Sequence, residues 1–338
     1  MTFITYEDRQ SDCIGLKLLA ASILRGGAGH KVICICPGSF AAFREWAVRF
    51  PQLMVRDSED LGVTGWEVKP TLLLRALDEG VEQPIWIDSD IIMSRPVGET
   101  LFEIAGDDLL ATEENSSHAH IDVDRAKLSG LTSTRRLKKP LNTGVLRVSA
   151  VHRPLLHAWA ERMGRADFQN AQRDLSAPRP THLAGDQDVL EALLCSSDYC
   201  GIPVRQLRAG IDIAQCWWVF GYAFHHRLRA LFLGLPPIVH ALGVKPWRVT
   251  GNSLAMLATE LHPYNRVARK FADDVQEDIS WTRPHSTAAR ILTLLGSGSI
   301  VLPGMYLQIQ VALYQLLVSI AQGLRKRGII RSQPQLRD

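Results

Sequence analysis

The 338-residue chain lacks most of the motifs that assign a function quickly. No Gly-x-Gly-x-x-Gly follows the first apolar run and no Walker-type loop occurs, so neither a dinucleotide nor a P-loop nucleotide role has a motif behind it. No Cys-x-x-Cys pair and no zinc spacing is present among the six cysteines, at 13, 34, 36, 195, 200 and 216. Cys34 and Cys36 sit in an apolar run and read as buried thiols, a pattern that suits a reducing compartment. The net charge is only +3, with no long basic run before Arg325-Lys326-Arg327, which argues against a nucleic-acid binder. The aromatic and leucine-rich stretch 216–235 is broken by Arg227 and Arg229, so it is not a membrane span. The opening MTFITYEDRQ is too short and too polar for a signal peptide, and a cytoplasmic location is the expectation.

What is present is the pattern of an α/β protein. Hydrophobic content of 46% and charged content of 22% are those of a soluble globular chain, long enough for one large domain or two smaller ones. Residues 2–5 read as a strand and 16–24 as a helix ended by Gly26-Gly27. Residues 32–36 form a nearly all-apolar run stopped by Pro37-Gly38. This is the signature of a central strand covered on both faces, and the three elements make a βαβ opening. Further helices are expected at 40–50, at 71–77 with Pro70 in the first turn, at 155–163 and at 189–194, and strands at 53–55 and 141–148.

The most informative stretch is QPIWIDSDIIM, residues 83–93. An apolar run meets Asp88-Ser89-Asp90, and apolar residues resume at once. Buried carboxylates are rare unless paired or metal-bound. Mg²⁺ or Mn²⁺ takes oxygen ligands and bridges carboxylates to a diphosphate. On a regular strand both side chains would share one face. Asp-Ser-Asp is also ordinary turn composition, and the tripeptide alone does not decide between the two.

Other candidates are weaker one by one. Lys69, at a helix start, could enter a phosphate-binding cleft, but alone it reads as a solvated lysine. Residues 105–120 hold Asp107, Asp108, Glu113, Glu114, His118 and His120 at no compact metal spacing, and read as a polar surface or lid segment. Residues 125–139 carry Arg125, Lys127, Arg135, Arg136, Lys138 and Lys139 and read as a solvated basic face, with a flexible basic loop beside a nucleotide diphosphate as the alternative. Asn142-Thr143-Gly144 offers a side-chain amide and a close backbone approach at a strand start. Asp186 or Asp188 could cap the helix that follows, whereas Gln187 has no such structural reason to be there. His240 closes an apolar run and is followed by Gly243, Lys245, Pro246 and Trp247.

Taken in order, Asp88-Ser89-Asp90, Asn142-Thr143-Gly144, Asp186-Gln187 and the His240–Trp247 set resemble the motifs of the retaining nucleotide-sugar glycosyltransferases of family 8, over roughly residues 1–250. The resemblance implies a GT-A fold, which is a Rossmann-like α/β layer with a mixed central sheet, followed by a mostly helical extension at 251–338. It implies Mn²⁺ or Mg²⁺ on Asp88, Asp90 and His240, and a UDP-sugar donor. Thr5, Tyr6 and Glu7 would lie by its base and ribose, with Asp8 less firmly aligned. Ser89 would lie within the donor site, and Lys69 would stand where the family carries a basic donor-binding residue. Gly243 and Lys245 would approach its phosphates, and Asn142, Asp186 and Gln187 its sugar. The acceptor would be a saccharide, a lipid-linked saccharide or a small molecule. Ala241 departs from the aromatic of many relatives, and residues 113–139 match nothing in the pattern. A catalytically inactive nucleotide-sugar-binding or scaffold protein and a sugar nucleotidyltransferase are the alternatives. The latter should show a Gly-rich basic loop where Tyr6-Glu7-Asp8 stands.

Residues 288–295 and 300–320 read as helices, the second with amides on one face and Arg325-Lys326-Arg327 behind it. A helix over 300–327 would pack on the catalytic domain or a second copy of the chain, or lie on the inner face of a membrane against anionic lipid.

Overall fold

The computed structural model describes residues 1–27, 29–96, 99–102, 106–114, 123–173, 179–216, 224–243, 245–248 and 262–283. The helices expected at 288–295 and 300–327 lie outside the described residues.

A seven-stranded mixed sheet forms the centre, in the order β3-β2-β1-β4-β7-β6-β8. Its strands are β1 (Thr2–Tyr6), β2 (Lys31–Cys36), β3 (Leu53–Asp57), β4 (Pro84–Ile87), β6 (Leu109–Glu113), β7 (Leu141–Arg147) and β8 (Val204–Leu207). The first four are mutually parallel, whereas β7 runs antiparallel to both β4 and β6. A second sheet of three strands holds β5 (Ile91–Met93), β9 (Ile213–Gln215) and β10 (Ile238–His240), with β10 in the middle.

Alternation along the central strands feeds two apolar layers. Phe3, Val32, Cys34, Cys36, Ile85 and Ile87 pack with α1 (Cys13–Gly26) and α2 (Ala41–Ala47) on one side. Ile4, Ile33, Ile35 and Trp86 pack with α3 (Val68–Asp78), α6 (Arg153–Met163) and α8 (Asp186–Leu194) on the other. The shorter helices α4 (Glu99–Phe102), α5 (Arg125–Leu128) and α7 (Ala166–Arg173) stand between them in the chain. The near-continuous apolar run of β2 is therefore the mark of a strand covered on both faces, as its composition implied. Fully burying one such side chain contributes about 1.5–3 kcal/mol, so truncating Leu19, which has 0% exposure in α1, removes one of the larger single contributions. All six cysteines are free, and burial pushes the Cys36 thiol up to about 11 and the Cys34 thiol well above its ordinary value, so both stay neutral.

Helix α9 (Phe224–Leu233) and the two short helices α10 (Pro263–Ala268) and α11 (Ala272–Val275) complete the described elements. Tyr264, Val267, Ala268 and Val275 join the α1-side core. No helix among the described residues is long and apolar enough to cross a membrane.

Candidate functional site

Asp88-Ser89-Asp90 is a turn, not a continuous strand. It carries the chain from β4 in the large sheet into β5 in the small one. The backbone N–H of Ile91 donates to the carbonyl of Asp88 at 3.1 Å, and that of Asp88 donates to the carbonyl of Gly144 at 2.9 Å. The site therefore lies outside the carboxyl ends of β1 and β4, beside the start of β7, where ligands bind in open α/β sheets.

Strand β10 brings the distant histidine back. It pairs antiparallel with β5 in a register that sets His240 opposite Ile91, and the N–H of Ala241 donates to the carbonyl of Asp90 at 3.0 Å. His240 Nε2 lies 3.1 Å from Asp90 Oδ1 and 3.8 Å from Asp88 Oδ2. One ligand atom from each of Asp88, Asp90 and His240 falls within 4.8 Å of the others, an arrangement that could hold a metal ion. Gly144 makes room for the ring, since a Cβ there would come within 2.5 Å of His240 Cε1. That is the close backbone approach the Asn-Thr-Gly sequence suggested.

Cations meet these carboxylates from two sides. Lys245 pairs with Asp90 and donates to the carbonyl of Ala241 at 3.0 Å. Burial opposes ionisation of Asp90, but the Lys245 ammonium and His240 outweigh it and hold the carboxyl well below the usual range. Trp247 anchors this closing segment. Its indole N–H donates to Asp12 at 2.9 Å, and its ring packs so closely on Gly15 of α1 that a Cβ there would lie at 2.8 Å.

Lys69, expected alone to be solvated, is buried in the first turn of α3. Its Nζ lies 3.2 Å from Asp88 Oδ1 and 3.0 Å from Asp186 Oδ2, and donates to Thr143 Oγ1 at 3.0 Å. Burial alone would lower its pKa, but the two carboxylates raise it, so it remains charged and couples Asp88 to α8.

At the start of α8 the N-cap position is Gly185, so neither Asp186 nor Asp188 stands at it. Asp186 accepts instead from Thr143 Oγ1 at 2.6 Å. Asn142 Nδ2 donates to Gln187 Oε1 at 3.2 Å and to Glu114 Oε2 at 3.0 Å, and Gln187 Nε2 donates to the same Glu114 oxygen at 3.2 Å. Glu114 is thus a site residue that the sequence placed in a surface or lid segment. It follows β6, a strand hidden by the acids around a short apolar run.

The basic stretch beginning at Arg125 also needs correction. Arg125 is buried, not solvated, and donates to Asp188 Oδ1 at 2.6 Å and Glu191 Oε1 at 3.0 Å. Glu191 Oε2 accepts from the N–H of Leu141, which ties α8 to the start of β7. Burial pushes both carboxyls up, more than Arg125 pulls them down.

Past β1, Glu7 is buried. It accepts from Ser89 Oγ at 2.6 Å and from both Nε and Nη2 of Arg9, at 2.8 and 2.9 Å. Thr5 is a further correction, because it lies wholly inside the sheet and does not line the cleft. The remaining expected residues come together around one cavity of about 740 Å³. Tyr6, Glu7, Lys69, Asp88, Ser89, Asp90, Asn142, Asp186, Gln187, His240, Gly243 and Lys245 all line it. That volume lies in the range of small-ligand sites.

No family model and no curated protein sequence matches the chain. Solved structures do match. The galactosyltransferase LgtC, in complex with donor and acceptor sugar analogues, aligns over 80% of this chain and 96% of its own, with a TM-score of 0.50 and 14% identity. The bifunctional glycosyltransferase WbbM, in its apo form, aligns over 80% of this chain with a TM-score of 0.50 and 12% identity, and this chain spans only 51% of it. The fold is GT-A. At these identities the likeness establishes the architecture, a mixed α/β sheet with Rossmann-like topology, and leaves the chemistry to the site.

Proposed function

We propose that this chain is a retaining glycosyltransferase that moves a hexose from a UDP-sugar to an acceptor hydroxyl with the help of a divalent metal. The observation that carries the reading is the convergence, in one cavity, of a metal-competent Asp88–Asp90–His240 cluster with the Asn142–Asp186–Gln187 set.

The donor set fits a metal. It offers two carboxylates and an imidazole, whose Nε2 faces both carboxylates. A set of mixed oxygen and imidazole donors suits Mn²⁺ better than Mg²⁺, which prefers oxygen alone. When bound, the ion would neutralise charge that builds on the departing diphosphate. Lys245 and the backbone at Gly243 (φ +72°) would contact the phosphates, with Lys245 adding fixed positive charge as the bond to the sugar breaks. Asp186, Gln187 and Asn142 would hold the hexose and stabilise positive character on it, and Glu114 adds a carboxylate to that group. Gln187 is an amide and a poor nucleophile. The reading therefore has the acceptor hydroxyl arrive on the face from which UDP departs. Tyr6 and Glu7 would flank the base and ribose.

The test is incubation of the purified protein with Mn²⁺ and a panel of UDP-sugars, followed by UDP release and the anomeric configuration of the product. Metal-dependent release from one donor, with retention, is expected. Absence of release or transfer from every donor would remove the reading.

A further inference from the structure

Five cationic side chains line the cavity, and four are matched to carboxylates. Arg9 is held by Glu7, Lys69 by Asp88 and Asp186, Arg125 by Asp188 and Glu191, and Lys245 by Asp90. Arg179 is the exception: among the described residues it has no carboxylate partner. Its guanidinium lies 5.5 Å over the ring of Trp66 and donates to the carbonyl of Ala184 at 3.4 Å. In a cleft this rich in acids, a guanidinium held in place but unmatched in charge is a site for an anion.

Trp66 supplies the second observation. It is 43% exposed, unusual for so large an apolar side chain, and it faces the same cavity. Its ring carbon Cζ3 would meet a Cβ on Gly185 at 3.7 Å, so it stacks beside the residue that precedes Asp186 and Gln187. Both residues therefore stand beside the start of α8, next to the Asp186–Gln187 pair. An exposed indole offers apolar area to the C–H face of a pyranose, and the adjacent guanidinium offers a planar donor pair to a carboxylate or phosphate.

We infer that Trp66 and Arg179 form the acceptor subsite, and that the acceptor is a saccharide with an anionic substituent. The inference rests on the glycosyl-transfer reading, in which the donor hexose occupies Asp186, Gln187 and Asn142 and the acceptor must enter beside it. Stacking on Trp66 fixes the sugar ring. The ion pair with Arg179 selects the charged substituent, and neutral sugars lose that part of the binding.

Saturation-transfer NMR on the full chain tests this with three probes: methyl β-glucuronide, glucose 6-phosphate and the neutral methyl β-glucoside. The wild type should bind at least one anionic probe roughly fivefold or more better than the glucoside. Arg179→Gln should abolish that preference, and Trp66→Ala should weaken all three probes. The stronger of the two anionic probes identifies carboxylate or phosphate as the substituent. Equal binding of all three by the wild type, binding of none, or a preference that survives Arg179→Gln overturns the inference. Calorimetry of UDP with Mn²⁺ on the wild type runs in parallel. Failure there counts against the donor reading, whereas failure of the sugar arm alone counts against the Trp66–Arg179 subsite.

Discussion

On one side of the cleft, Asp88 and Asp90 are met by two lysines and a histidine; on the α8 side, Asp188 and Glu191 share a single arginine. Both are groups of acids matched by cations, buried except for the half-buried Asp88, yet they differ in two ways. The Asp90 carboxyl is held well below its ordinary value, whereas those of Asp188 and Glu191 are pushed above theirs. Asp90 has both a lysine and an imidazole within contact. Asp188 and Glu191 divide one guanidinium, and the nearby Asp186 works against ionisation of Asp188. The cations also differ in kind. A lysine ammonium is a compact charge on a flexible stem, while the planar fork of an arginine is rigid. On the proposed function the first cluster exchanges a lysine for a metal ion, whereas the second ties α8 to α5 and to the start of β7.

The comparison can be broken at its strongest point by Asp90→Asn. That change should weaken UDP binding in the presence of Mn²⁺ by roughly a hundredfold or more, since losing a supporting group alone costs 10–100-fold in metal affinity. Unchanged calorimetric affinity would mean that Asp90 holds no metal. Next in size, Arg125→Met should cost about 3–5 kcal/mol of stability, because it strands two buried carboxylates. A urea midpoint close to wild type would show that Arg125 braces nothing.

Lys245→Met sharpens the contrast. Here UDP affinity with Mn²⁺ should fall about tenfold through loss of a charge-assisted contact to phosphate. Mn²⁺ alone should bind more tightly, because the lysine no longer competes for Asp90. If both affinities moved in the same direction, the idea of an exchangeable cation would be wrong.

The smallest effects are in the pH dependence. A carboxyl whose folded pKa is depressed adds stability above its unfolded value and loses it in acid, so the Asp90 contribution should begin to fall below about pH 3.8 and vanish only as pH drops through the much lower folded value. A raised carboxyl adds stability below its unfolded value and loses it as pH climbs through the folded one. For Glu191 that loss should begin above about pH 4.5. Urea titrations of Asp90→Asn and Glu191→Gln should therefore remove slopes of opposite sign. Slopes of the same sign would erase the distinction between the clusters.

Much of this was legible in the chain because it depends on local pattern. The apolar runs at β1 and β4 announced strands, and that at β2 a strand buried on both faces. Asp88-Ser89-Asp90 stood out because its carboxylates interrupt such a run, and Gly144 followed from a need for close approach. What stayed hidden depends on partners far away in sequence. Lys69 looks like any surface lysine until Asp186 is known to be beside it. Arg125 and Glu114 sit in polar stretches whose burial comes from α8 and β7, and no periodicity records that. β8 (Val204–Leu207) is an edge strand with polar residues at its centre, so it gave no apolar run to read. Thr5 went wrong for the opposite reason, since its place at the end of a strand said nothing of which way it faces.

The turn from β4 into β5 is one of the connections between the two sheets, and the third member of the metal-competent cluster comes from β10 in the smaller one. An ion held there would act as a clasp between the sheets. By mass action, a ligand at a hundred times its dissociation constant adds about 2.7 kcal/mol to the folded state. The melting temperature of the smaller sheet then becomes a gauge of metal supply, and a chelator should loosen β10 before it disturbs the β1–β4 core, visible as faster amide exchange at Val239 and Ala241 than at Ile4 and Ile33.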